Sequence, residues 1–198
     1  KPDAERKALV MQVAEAIKAN APYLAEWVTR EQGKPLGGVG PDQVPGARFE
    51  LWGCEVWSQV TASLDLPSEV VFEDKTRRDE MHRKPLGVIG AIAPWNWPLL
   101  IAIWQIIPSI RAGNCVVIKP SEYTSIGTLE MVRIIAELLP PGVLNSISGP
   151  GEVGAWLVEN PGLDKVMFTG SGPAGARIAA AAARNLTPTT LELGGNDA

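Results

Sequence analysis

Cysteine is nearly missing from this sequence: Cys54 and Cys115 are the only two in 198 residues. Two thiols build no disulfide framework, so a disulfide-stapled secreted scaffold is excluded and a reducing, cytoplasmic setting is the default expectation. Both read as packing residues, Cys54 in a helical stretch beside Trp52 and Cys115 at the start of an apolar run. Histidine is scarcer still. His82 stands alone in a charged segment and reads as surface, and no metal site is expected. Basic clusters are short. Nothing longer than Arg77-Arg78 occurs and the net charge is −4, which speaks against a nucleic-acid partner. Long apolar runs are missing too. The longest, Leu99 to Ile110, is interrupted by Gln105 and Pro108 and is too short to span a bilayer, so no membrane partner is expected. No signal peptide is visible. The chain opens at Lys1 rather than Met and closes at Ala198 before any obvious nucleophile, and it is therefore expected to be incomplete at both ends.

What is present is the material of one good core. Hydrophobic residues make up 45% of the chain, too little for two full domains at this length. The seven Trp read as core or interface residues. Seventeen Pro and twenty Gly are scattered, as in a loop-rich α/β protein. Residues 4–31 show apolar positions near helical spacing (Leu9, Val13, Ile17, Leu24, Val28), stopped by Gly33-Lys34-Pro35. A second helix is predicted over 46–63, and residues 69–84 read as a charged excursion or hairpin. From Pro85 apolar β-type runs alternate with helical patterns. Strands are predicted at 86–93, 115–119, 144–148, 165–169 and 189–193, and helices at 98–112, 125–139, 152–159 and 173–184. Strands apolar on both faces that alternate with helices imply a parallel sheet covered on both sides. The expected fold is thus α/β, a Rossmann-like parallel sheet with helices on both faces, preceded by an N-terminal helical segment. Residues 1–84 are expected to belong to the same domain as the 85–198 core.

Ligands of such sheets bind beyond the carboxyl ends of the strands, and polar or small residues follow every predicted strand here. Gly149-Pro150-Gly151-Glu152-Val153-Gly154 matches G-x-G-x-x-G literally. It follows the third strand rather than the first, and Thr169 at the end of the next strand offers no acid to a ribose. Glycines lining another part of a cofactor, or a plain turn, fit better. Lys119 and Glu122 follow the second strand, where dinucleotide folds place the acid that accepts from ribose hydroxyls. A carboxylate there repels a 2′-phosphate and favours NAD over NADP. A solvated Lys and a helix N-terminal Glu explain the same positions equally well. Phe168-Thr169-Gly170-Ser171-Gly172-Pro173-Ala174-Gly175 suits phosphate approach at a helix start, or an ordinary helix start capped by Ser171. Asn96 sits at the first strand's tip, where its amide can donate to a developing oxyanion or simply satisfy a turn. Glu192, between Leu191 and Leu193, is costly to bury without a role. In an apolar setting it would suit a general base; the plain alternative is a strand-end Glu reaching solvent.

Seven stretches taken together resemble the NAD(P)-dependent aldehyde dehydrogenase superfamily. They are Glu31-Gln32-Gly33-Lys34-Pro35, Pro85-Leu86-Gly87-Val88-Ile89, Pro94-Trp95-Asn96-Trp97-Pro98 and Ala112-Gly113-Asn114. Lys119-Pro120-Ser121-Glu122, Phe168-Thr169-Gly170-Ser171 and Leu191-Glu192-Leu193-Gly194-Gly195 complete the set. The resemblance implies oxidation of a small-molecule aldehyde to a carboxylic acid. A thiol attacks the aldehyde, hydride passes to the nicotinamide, and water hydrolyses the thioester. It implies Asn96 as oxyanion donor and Glu192 as general base. Lys119 and Glu122, with Ser121 beside them, would hold the adenosine ribose, and Gly151 would line the adenine site. Phe168, Thr169, Gly170, Ser171 and Gly175 would border the pyrophosphate and nicotinamide, with Leu193 nearby. Backbone at Ala93, Pro94 and Trp95 would pack along the cofactor.

Three departures qualify the resemblance. The family's nucleophilic Cys lies in a catalytic domain downstream of this chain, and neither Cys54 nor Cys115 matches it. Asn196 stands where the family often has Lys. The subunit-pairing segments at the far termini are missing, so the homo-oligomer implied for the full-length enzyme does not carry over to this chain. Weak or absent NAD binding and no turnover are expected of the chain alone. A free-standing nucleotide-binding module and a non-catalytic interaction protein derived from the enzyme fold remain open as alternatives.

Overall fold

A computed structural model describes residues 1–40 and 43–195. Two long helices come first. Helix α1 (Asp3–Gln32) ends where Gly33 turns left-handed at φ 76° and donates its N–H to Thr29, a conformation that glycine adopts without strain. Helix α2 (Ala47–Ser63) lies against it. Strands β1 (Glu69–Glu73) and β2 (Arg78–Met81) then form an antiparallel hairpin, closed by Asp74, whose carboxylate accepts from the N–H groups of Thr76 and Arg77 at 2.7 and 2.8 Å. The hairpin is exposed almost throughout, as its charge pattern implied.

The remaining chain alternates strand and helix: β3 (Val88–Ile92), α3 (Pro98–Arg111), β4 (Cys115–Lys119), α4 (Ser125–Ala136), β5 (Leu144–Ser146), α5 (Gly151–Glu159), β6 (Lys165–Gly170), α6 (Gly172–Ala183) and β7 (Thr189–Leu193). All five strands pair in parallel, in the order β5-β4-β3-β6-β7. The observed fold is therefore the Rossmann-like α/β architecture, with element bounds within a few residues of those expected. One face of the sheet is covered by a core drawn from α1 to α4 and centred on Leu99, Ile103, Ile106 and Ile107. The opposite face carries a smaller core under α5 and α6, with Phe168 and Val166 at its middle. Burying both faces explains why the strands read as near-continuous apolar runs.

Polar ties fix the start of the sheet. The Asn114 side chain accepts from Leu86 and Gly87 at 2.6 and 3.0 Å and donates to Ser109 at 3.1 Å, which gives the Ala112-Gly113-Asn114 stretch a structural task. Arg111 is buried at the end of α3 and binds Asp3 and the Leu64 carbonyl. That hydrogen bond holds the Asp3 carboxyl below its ordinary value of 3.8, against an opposing effect of burial. A carboxylate lowered in the folded state adds stability above its unfolded pKa and loses it as pH falls through the folded value. Urea midpoints of Asp3→Asn and the unaltered chain are thus expected to differ above about pH 5 and to converge on acidification below the Asp3 range. A gap that stays constant with pH would exclude the pair from acid stability.

Candidate functional site

The chain leaves β3 toward β4 on one side and returns to β6 on the other. Such a reversal opens a crevice at the carboxyl ends of the strands, where open α/β sheets bind ligands. The pairing register brings those ends level: Ile92 lies between Lys119 and Phe168, Thr169 faces Glu192, and Gly170 faces Leu193. A cleft of about 1390 Å³ opens there and runs outward between α5 and α6.

The cleft gathers nearly every residue singled out from sequence. After β3 it is lined by Ala93, Pro94, Trp95 and Asn96; after β4 by Lys119, Ser121 and Glu122; at α5 by Gly151. Phe168, Thr169, Gly170 and Ser171 line it after β6, and Glu192 and Leu193 after β7. Gly175 is the exception. It is buried one turn into α6, where a Cβ would come within 2.5 Å of the Leu193 side chain, so it sets the approach of α6 to β7 rather than a wall of the cleft.

Lys119 is 3% exposed, which removes the solvated-lysine explanation. Its ammonium donates to the Pro120 carbonyl at 3.0 Å and lies 3.8 Å from the Glu122 carboxylate. Burial pushes the ammonium pKa down, and Glu122 pulls it part of the way back. Glu122 precedes α4 by three residues and so is not the helix N-terminal Glu weighed above. Glycines keep this end open. Gly149 has φ 147°, Gly151 faces empty space where a Cβ would sit, and Gly154 lets α5 rest on the Lys119 stem. The slot beyond has apolar walls from Ala155, Val158, Ala174 and Ile178. A flat ring between such walls, with ribose hydroxyls at a buried ammonium and an open carboxylate, matches this donor and acceptor set. The residues fit a dinucleotide.

The other end of the cleft carries reactive polar groups. Asn96 is exposed, and among the described residues its side-chain amide has no hydrogen-bond partner within the chain. Ser171 caps α6, accepting from Ala174 at 3.4 Å, so its hydroxyl does the work of the ordinary helix start. Glu192 is exposed, which favours the strand-end alternative over enclosure by its leucine neighbours; among the described residues β7 pairs with β6 alone. Of the core-or-interface reading of the tryptophans, the core half is corrected: none is buried, and Trp57 and Trp104 stack obliquely at 5.4 Å and line the cleft. Cys115 is half-buried rather than core, whereas Cys54 is fully buried. Gln105, seen in the sequence only as a break in an apolar run, donates to the Ile92 carbonyl at 3.2 Å and to the Thr169 hydroxyl at 3.3 Å. It ties β3 to β6 at the point where the sheet reverses. Asn196 lies outside the described residues. Among the described residues no three His, Cys, Asp or Glu side chains converge as metal ligands, and no helix is long and apolar enough to cross a membrane.

Comparison with known proteins places this geometry. The model of the aldehyde dehydrogenase family matches residues 1–198. The chain is 38% identical over 194 residues to aldehyde dehydrogenase B of Escherichia coli (strain K12), covering 96% of the chain and 36% of that protein. It is 41% identical to the long-chain-aldehyde dehydrogenase of Acinetobacter sp, covering 96% of the chain and 37% of the relative. Among solved structures, betaine aldehyde dehydrogenase from Staphylococcus aureus in complex with NAD+ superposes with a TM-score of 0.89 at 30% identity, covering 98% of the chain and 38% of that structure. The chain spans little more than a third of the length of these relatives.

Proposed function

Because the chain belongs to the aldehyde dehydrogenase family, we propose that it forms the NAD-binding part of an enzyme that oxidises an aldehyde to a carboxylic acid. The observation that carries the reading is the buried Lys119 beside the open Glu122 carboxylate in a cleft at the sheet's reversal point. When bound, NAD supplies the hydride acceptor. The chain's own residues do the rest of what falls to this part. Lys119 donates to ribose oxygens and Glu122 accepts from ribose hydroxyls, and the same carboxylate repels a 2′-phosphate, so NAD is preferred to NADP. The Asn96 amide donates to the oxygen that gains charge when the aldehyde carbon is attacked, a contribution that grows toward the transition state. Glu192 takes the proton of the water that releases the acid. The attacking thiol comes from neither Cys54, buried in α2, nor Cys115, at the far end of β4. A cytoplasmic setting belongs to the same proposal and is supported by the two free thiols.

Titration of the chain with NAD, followed calorimetrically, tests this. Binding by the chain alone is expected to be weak; in the complete enzyme it should be saturable, with Glu122→Ala weakening it on the order of tenfold or more, the worth of hydrogen bonds to a charged group. NADP is expected to bind more weakly than NAD, and Glu122→Ala to narrow that gap. Binding indifferent to Glu122→Ala would show that the ribose sits elsewhere and would overturn the assignment.

A further inference from the structure

The loop that presents Asn96 is gripped from beneath by side chains the proposed chemistry does not use. Gln32, at the end of α1, donates Nε2 to the carbonyls of Trp95 and Asn96 at 2.8 and 2.6 Å. Lys34 donates Nζ to the same Asn96 carbonyl at 3.0 Å. Its ammonium also lies 3.8 Å from the centroid of the Trp97 ring and 2.6 Å from Glu50 Oε2. Glu50 projects from α2 and is 0% exposed. Its other oxygen accepts from the backbone N–H groups of Leu99 and Leu100 at 2.8 and 3.2 Å. Those are unpaired amides of the first turn of α3, where a negative charge is stabilised.

The segment 95–100 is therefore tied at both ends, by two carbonyls on one side of Trp97-Pro98 and two amides on the other. Neutralising a buried carboxylate needs a cation and hydrogen bonds. It does not need that cation, and a glutamine beside it, to converge on the carbonyl of Asn96. Among the described residues the Asn96 side chain makes no bond of its own, so the direction of its amide follows from the backbone these groups hold. We propose that Lys34, Glu50 and Gln32 are positioning residues that aim the Asn96 amide and act only through it. The inference rests on Asn96 being the oxyanion donor of the preceding section.

The test uses the ¹⁵N-labelled chain, with the Asn96 side-chain resonances identified by their loss in Asn96→Ala. Lys34→Met keeps the stem and removes the donor. It is expected to shift the Asn96 side-chain and backbone signals while amides of β4 and β5 stay in place, and Lys34→Arg is expected to restore them. Glu50→Gln, which keeps an acceptor for Leu99 and Leu100, should give a smaller shift of the same signals. Unmoved Asn96 signals in a folded Lys34→Met chain overturn the inference. In the complete dehydrogenase, Lys34→Met should lower kcat on the order of tenfold to a hundredfold with KM for NAD unchanged. In an Asn96→Ala background the same Lys34→Met change should cost nothing further; additive losses would make the clamp merely structural. An Asn96→Ala enzyme of unaltered kcat would instead overturn the reading on which the inference rests.

Discussion

Given NAD and a simple aldehyde, the 198-residue chain is expected to release no NADH. In the proposed chemistry, oxidation needs a thiolate within reach of a carbonyl carbon whose oxygen Asn96 would hold. The chain has two thiols, and structure disqualifies each for a different reason. Cys54 lies inside the α1–α4 core with no exposed surface. Burial first and the Glu50 charge second push its thiol well above the ordinary range, and the compensating pull of a backbone hydrogen bond and of Lys34 is smaller. A neutral, enclosed thiol is a packing group. Cys115 opens β4, whose other end is Lys119 at the cleft. Five strand residues at roughly 3.3 Å each leave on the order of 13 Å between that thiol and the site. Iodoacetamide should accordingly modify Cys115 in the folded chain and Cys54 only after unfolding. NADH formed above the rate of a Cys54→Ala, Cys115→Ala double variant would mean that one thiol does reach the carbonyl, and the assignment of the chemistry would fail.

The β/α alternation and the strand ends were legible because they depend on local pattern. Runs such as Cys115–Lys119 are apolar on successive residues, which only a sheet buried on both faces accommodates. The same rule pointed to residues after each strand, and the register then brought those residues to one cleft. What failed was anything decided by cover from elsewhere in the fold. Glu192 could be read as enclosed or as a strand end reaching solvent, and local pattern did not choose: in a strand Leu191 and Leu193 point away from it, and the structure leaves it exposed. The tryptophans, read as core or interface, are not core, and Trp57 and Trp104 meet across two helices to form a cleft wall. Glu50 was invisible for the same reason. It reads as an ordinary helix charge, and its partners, Lys34 and the amides of Leu99 and Leu100, lie 16, 49 and 50 residues away. No local period encodes that meeting.

Ile106→Ala is expected to cost more stability than Trp104→Ala, although tryptophan is by far the larger side chain. Both sit on α3, a helix with 11 of its 14 residues buried. Ile106 is 0% exposed and faces the layer where α3 is pressed between the sheet and helices α1, α2 and α4. That layer is pinned from both sides, so the space left by the removed carbons cannot collapse fully. Truncation there should cost roughly 2–5 kcal/mol, transfer and cavity together. At about 2–4 °C per kcal/mol for a chain of this size, Tm should fall by roughly 4–20 °C. Trp104 is 43% exposed and turns to the cleft, where its main partner is the Trp57 ring. Its removal loses an aromatic pair worth about 1 kcal/mol and leaves no sealed cavity, since water fills the space. Thermal unfolding of the two variants, followed by far-ultraviolet circular dichroism, decides the order. A larger fall for Trp104→Ala would mean that the tryptophan pair closes the core at this end, and the cleft wall would then be part of what holds α2 to α3. The expected order instead separates the two faces of one helix, with Ile106 holding the fold and Trp104 lining the cleft.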